Sequence, residues 1–482
     1  MNRLAELWAV ARVSCAALFV FAGAVINPPQ PVRAETPSGP DRTDQTGQLA
    51  NIPPVLKAHG GPVKALAIAT DGKTLVSGAF DYSAVIWTRT KTGFTLNKRF
   101  DEVDGAINAV AAAERFVAIG GDGRAIRILD RSTGELLAVG EGHQHKINQL
   151  DIAPNRRAVV TASWDRTARI WPMTLARETG DDSPLKVTIG QAVALSGHKG
   201  PVNAAIFSQD GRHVVTASYD GELRRFDATT GEFRRRVHRH GWGINALVRI
   251  PETDQLVFGA IDGAVGVIDQ ARNDRIKKLG GHDKPVLALA ASQSRVATAA
   301  ADGVIRVWDA KTWSPLEEFK NPYGPVWALA FSPDGKTLYW GGLDDNIHVW
   351  QVSPRKPFEP VASKFPRRFQ QKTDSADPIE QGRIQFARKC SVCHTLTPDG
   401  ANRAGPTLYR IFGRPIASLE GYAYSKPLYD LDIVWTPETV SRLFELGPDK
   451  FTPGSKMPLQ KMTNPKQRAA LIAFLKQATR AN

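Results

Sequence analysis

Between residues 51 and 354 short runs of aliphatic and β-branched residues alternate with turns at a repeating interval. Leu75-Val76-Ser77-Gly78 and Val214-Val215-Thr216-Ala217-Ser218 each lead into a turn, and Val304-Ile305-Arg306-Val307-Trp308 follows one. Short apolar runs punctuated by Asp71-Gly72, Asp210-Gly211 and Asp334-Gly335 predict antiparallel hairpins. A turn aspartate recurs at Asp81, Asp122, Asp165, Asp220, Asp262, Asp302 and Asp344, with steps of 41, 43, 55, 42, 40 and 42 residues. Trp87, Trp171, Trp308 and Trp350 stand six residues after their aspartates, as do Phe226 and Ile268; only Leu129 stands at seven. The long step predicts an insertion of about a dozen residues between Thr174 and Gln191, carrying Glu178, Asp181 and Asp182 as a surface loop.

Gly142-His143, Gly197-His198 and Gly281-His282 precede three of the copies. With the tryptophans and a period near 40 residues, the stretch 51–354 resembles the WD-repeat family. That resemblance implies a seven-bladed all-β propeller, since one four-stranded blade cannot bury both faces while seven arranged radially cover one another. The seventh copy ends at Trp350-Gln351-Val352, one strand short, and Ile52–Lys57 is placed to supply the missing outer strand. The resemblance also implies a buried network in each blade, joining His143, Ser163, Asp165 and Trp171, or His198, Ser218 and Asp220. A buried polar group needs a partner, so these histidines read as structural rather than as ligands. A protein-docking scaffold, with no catalytic residues, is what the family implies for this part.

The flanks have other patterns. Residues 1–34 carry Arg3 and Arg12, an apolar run from Val13 to Ile26, and the small-x-small sequence Val32-Arg33-Ala34. This is the layout of a cleaved secretory signal, and the run is short for a membrane span. A flexible segment 35–50 follows. The expected location is the periplasm of a bacterium, with an uncleaved N-terminal anchor facing the same space as the alternative; membrane association is allowed but not required. Residues 355–375, with Pro357, Pro360 and Pro366 and net charge +4, read as a basic extended linker.

Composition adds the chemistry. The chain has 482 residues with net charge +14, of which +6 falls on residues 376–482 and +2 on residues 35–354. Positive charge toward the tail suits an acidic redox partner. No recognition motif for nucleic acid accompanies it. Three cysteines exclude a disulfide framework; Cys15 lies in the signal, leaving Cys390 and Cys393.

Cys390-Ser391-Val392-Cys393-His394 is the attachment motif of a c-type haem. Cysteines three apart on one helical turn face the same side, so both can meet the haem vinyls while His394 is held under the iron. Zinc is the rival ligand, but a fourth donor with finger-like spacing is missing. Residues 376–482 resemble a small all-α class I cytochrome c. Gly382 and Phe386 match its first helix, and Gly405-Pro406-Thr407-Leu408 its Gly-Pro-x-Leu segment, with Pro406 twelve residues after His394. Gly421-Tyr422-Ala423-Tyr424-Ser425 followed by Trp435 matches the haem-propionate segment, and Thr452-Pro453-Gly454-Ser455-Lys456-Met457 the loop presenting the distal methionine. The resemblance thus implies one covalent haem c on Cys390 and Cys393, iron ligands His394 and Met457, and haem contacts from Pro406, Tyr424 and Trp435. Met462, near the final helix, is read as packing. Tyr409–Leu419 departs from the family pattern. Asn464-Pro465 opens a last helix whose Leu471, Phe474 and Leu475 share a face.

A haem held on both sides carries electrons rather than binding substrate, and axial methionine raises its potential. The expected function is one-electron transfer, with the propeller docking a protein partner. Two other readings stay open: a haem oxidoreductase with a catalytic cofactor in the propeller, similar to nitrite reductases, and a redox-sensing adaptor.

Overall fold

The structure, a computed structural model, describes residues 54–356 and 377–479 apart from 92, 102, 104, 178–184, 273, 323, 392, 399–404, 423, 456 and 458–460. The signal 1–34, the segment 35–50 and nearly all of the linker lie outside these residues. Each repeat forms one antiparallel sheet, and in all but blades three and seven its four strands follow in chain order, as in Val63–Ile68, Thr74–Ala79, Ala84–Thr90 and Gly93–Phe100. Turn chemistry sets these hairpins: Gly72, Gly211 and Gly335 all adopt positive φ (66°, 70° and 66°), which glycine reaches without a Cβ penalty. The first strands of successive blades adjoin, and Val63–Ile68 of the first blade adjoins Val326–Phe331 of the seventh, so the ring closes. The predicted closing strand is present: Val55–Lys57 pairs with Asn346–Gln351 as the outer strand of blade seven.

Apolar side chains fill the seams rather than the blades themselves. Seven clusters occupy the seven blade-to-blade interfaces. Trp87, Phe94 and Leu75 of the first blade meet Tyr339, Ile347 and Val349 of the last, sealing the ring with the same apolar contact used elsewhere. Burying each such side chain contributes about 1.5–3 kcal/mol, so the propeller is held by repetition of a moderate term.

Two details correct the sequence reading. The insertion is not a loop where it is described: Met173–Arg177 extends the third strand of blade three and pairs with Leu185–Ile189, while Val193–Leu195 takes the outer position. Leu185 and Val187 pack into the seam between blades two and three, which is why the segment orders as strand; Glu178, Asp181 and Asp182 lie outside the described residues. In the blade networks the bridging hydroxyl is Thr161, not Ser163. His143 joins Thr161 through Nε2 and Asp165 through Nδ1, both at 2.7 Å, and Trp171 Nε1 donates to Thr161 at 2.8 Å. Ser163 instead donates to the His145 carbonyl. Thr216 likewise replaces Ser218 beside His198. The out-of-step second copy has a simple cause: Asp122 stands one place earlier in a turn of the same length, its N–H on the Ala106 carbonyl as Phe80 N–H is on that of Pro62 in blade one, so the third strand begins four residues after it, at Ile126.

After the linker come four helices, α1 (Pro378–Lys389), α2 (Pro437–Leu446), α3 (Pro448–Phe451) and α4 (Pro465–Ala478). Three polar caps start the longer ones: Asp377 accepts from Ile379 N–H, Thr436 from Thr439 N–H and Asn464 from Lys466 N–H. α1 and α4 pack closely because Gly382 has no Cβ; one there would overlap the Ala470 carbonyl. Phe386 and Phe474 meet across the same crossing, with ring centroids 5.6 Å apart. Among the described residues no helix is long and apolar enough to cross a membrane.

Candidate functional site

The end of α1 builds one wall of a deep cleft. Cys390 N–H closes the last helical turn on the Phe386 carbonyl, and the Cys390 carbonyl then accepts from both Cys393 and His394 N–H. This tight turn places Cys390, Cys393 and His394 together on the cleft. His394 is fixed from behind: its Nδ1 donates to the Pro406 carbonyl at 2.7 Å, which puts the imidazole lone pair on Nε2. Gly405 is required beside it, since a Cβ there would overlap the imidazole ring. A histidine oriented by a carbonyl behind it is the arrangement that suits a metal ligand.

The cleft encloses about 1160 Å³ including its open mouth, and its walls are mostly apolar: Leu408, Ile411, Leu428, Val440, Phe444 and Leu475. Met457 joins the same lining, on a loop where Ser455 Oγ accepts from Met457 N–H at 3.0 Å. Met462 is absent from the lining; it is 2% exposed in the core between α2 and α4, with its N–H on the Phe444 carbonyl. Pro406, Tyr424 and Trp435 all line the cleft. Every residue singled out from the sequence for cofactor contact therefore falls on one cavity.

Several residues of the site were not singled out from the sequence, among them Arg414, Ile416, Leu428, Val440 and Phe444, whereas Tyr422 and Ser425 lie in the segment 421–425 matched to the haem-propionate wrap. Arg414 belongs to the divergent segment Tyr409–Leu419. That segment is tied back to the matching one: Gly413 N–H donates to Trp435 O, Trp435 N–H to Arg414 O, and Ile416 N–H to Ile433 O. The Arg414 guanidinium donates to the Thr407 and Tyr409 carbonyls at the cleft wall, and burial lowers its pKa. Tyr422 and Tyr424 pack edge to face at 4.7 Å, and burial raises both phenols. The only signal in the sequence was an arginine in a loop, which specifies nothing by itself.

The donor set fits a haem better than zinc. Burial, with Cys393 beside it, pushes the Cys390 thiol up to about 12. Among the described residues no group of three or more His, Cys, Asp or Glu side chains converges to hold a metal ion. Ser425 Oγ is buried at the cleft with no hydrogen-bond partner among the described residues, a donor suited to a carboxylate of an otherwise apolar ligand. A wide apolar slot, two thiols, one oriented imidazole, a thioether and a few polar groups at one end match the shape and chemistry of a haem.

Comparison with known proteins agrees. Residues 379–479 match the cytochrome c family model, and 51–88, 134–172, 190–227, 273–309 and 313–351 match that of the WD domain, G-beta repeat. The two repeats outside the matched segments are those with Leu129 and Ile268 in place of the aromatic. Cytochrome c of Gibberella zeae is 37% identical over 102 residues, 21% of this chain and 95% of that one. Cytochrome c of Chlamydomonas reinhardtii is 38% identical over 104 residues, 22% and 92% of the respective chains. The propeller is similar to pre-mRNA-processing factor 19 homolog 2 of Arabidopsis thaliana, 27% identical over 244 residues, 50% of this chain and 44% of that one. By its C-terminal domain the chain belongs to the cytochrome c family, carried here behind a seven-bladed WD-repeat propeller.

Proposed function

We propose that the protein is a single-electron carrier with one haem c, and that the propeller is the scaffold on which its redox partner docks. The observation that carries this is the convergence of Cys390, Cys393, His394 and Met457 on one apolar cleft, with His394 oriented by Pro406. Cys390 and Cys393 would hold the group through thioethers, and His394 Nε2 and the Met457 sulfur would bind its iron. Ser425, Tyr424 and Trp435 would meet its polar edge, and Arg414 would supply positive charge there. When bound, haem c supplies an iron that gains and loses one electron. The chain's part is to keep water out with Leu408, Ile411 and Phe444 and to hold both ligands before and after the change, so that little has to move.

The enzyme reading needs a second cofactor in the propeller. The passage along its axis is lined by Asn148, Asn203 and Asn245, whose amides are spent on the Asn203, Ile244 and Val286 carbonyls of the next blade, which favours a structural role there. We further propose export through the signal 1–34 to the periplasm, where thioether attachment takes place, and an acidic surface on the partner to meet the +6 of residues 376–482.

The experiment is a spectrum with an iron count. Purified protein should show a c-type haem, one iron per chain, and a methionine-to-iron charge-transfer band lost in Met457→Ala and kept in Met462→Leu. Two irons per chain would favour the oxidoreductase reading. Partner binding that changes on reduction would favour the adaptor. The mature N-terminus, expected at Glu35, and its recovery with the periplasmic fraction check the location.

A further inference from the structure

Among the described residues the propeller contributes one side chain to the C-terminal cleft. Tyr82, in the turn between Thr74–Ala79 and Ala84–Thr90 of the first blade, lines that cleft together with Cys393 and Tyr422. Its other face rests on the apolar seam between blades one and two. Burial raises its phenol pKa, and Cys393 and Tyr422 add to the rise.

The backbone at Tyr82 supplies an independent observation. Its φ is 64°, in the left-handed region. The residue at the same place after the turn aspartate is glycine in blades four, five and six: Gly221, Gly263 and Gly303, with φ of 81°, 87° and 80°. A bulky aromatic in that conformation is costly, and such strain persists where the side chain has a task. Arg124 and Arg166 hold the same turn position in blades two and three, at φ 63° and 71°, and neither is part of the cleft, so what is particular to blade one is the bulky aromatic carried there. Charge does not explain the contact, because the C-terminal domain (+6) and the propeller (+2) are both positive. What remains is the ring.

We propose that the first blade docks on the haem domain of the same chain through Tyr82, which covers the open edge of the cleft beside Cys393 and Tyr422. The covering ring excludes water from that edge, so the propeller determines from which side a redox partner reaches it. This rests on the haem reading for its consequence, though not for the contact itself.

Tyr82→Gly tests it, since glycine relieves the backbone while removing the ring, and the thermal transition of the propeller checks that the blades stay folded. Hydrogen exchange on the full chain should then show peptides containing Cys393 and Tyr422 exchanging at least about fivefold faster, although they lie some 300 residues away in sequence. Tyr82→Phe, which keeps the ring, should retain their protection. In the haem-loaded protein a small hydrophilic reductant should reduce Tyr82→Gly severalfold faster than the parent. Unchanged protection at Cys393 and Tyr422 in Tyr82→Gly, or equal loss in Tyr82→Phe, overturns the proposal. A colourless chain that still shows the exchange change would remove the haem reading and leave the docking in place.

Discussion

The two halves of this chain solve the burial of polar chemistry in opposite ways. In the propeller, polar groups are turned inward and satisfied by one another: His143, Thr161, Asp165 and Trp171 form a closed set, repeated by His198, Thr216 and Asp220. In the C-terminal domain the apolar walls of α1, α2 and α4 face a wide cleft, and a buried polar atom such as Ser425 Oγ points to no partner among the described residues. The first arrangement is complete in the chain itself. The second is a core that, on the proposed function, is completed by a cofactor, so that its stability and its function would be coupled.

The largest expected effect separates the two. Cys390→Ala with Cys393→Ala should abolish haem retention and remove hydrogen-exchange protection from α1, α2 and α4, while the propeller peptides stay protected. Protection lost equally in both halves would show that the propeller depends on the haem domain. Next comes Gly382→Ala: the added Cβ must push α4 from α1, and a loss of about 1–3 kcal/mol in the stability of the C-terminal domain is expected from denaturant unfolding. Within the propeller, Thr161→Val removes the hydroxyl that donates to His143 Nε2 and accepts from Trp171 Nε1 and should cost about 1–3 kcal/mol, read on the propeller transition alone. Ser163→Ala, which the sequence pattern would have ranked equally, should cost less because its hydroxyl serves only a turn.

The smallest effect is on pH dependence, and its sign follows from two sets of groups. Burial lowers the pKa of His198 and His282, so the unfolded chain takes up protons first; propeller stability should begin to fall as pH drops below the ordinary histidine value of about 6.5. Asp165 and Asp220 are held below the usual carboxylate range, against the cost of burial, by hydrogen bonds from their histidines and from backbone N–H groups. Their contribution is present above pH about 4 and is lost as pH falls through their folded values. Unfolding midpoints measured between pH 8 and pH 3 should therefore decline in two stages for the propeller. A single late decline would mean that the histidines are already charged in the fold.

What the sequence determined by itself was whatever local chemistry repeats or is covalent. Asp-Gly turns, the 40-residue spacing and the Cys390-to-His394 run each act over a few residues, so order along the chain was enough to predict seven blades, the closing strand Val55–Lys57 and the cofactor-binding turn. The seams between blades and the cleft lining needed the third dimension. Thr161 and Ser163 point to the same side of one strand, since side chains alternate with a period of two, and only the position of His143 in space chose between them. Arg414 gained its place because the divergent loop hydrogen-bonds to Trp435, twenty-one residues further on. Tyr82 belongs to a different domain from the cleft it lines. A motif reports what neighbours in sequence can do together; which distant side chains share a cavity is decided by packing, and packing is a property of the folded chain as a whole.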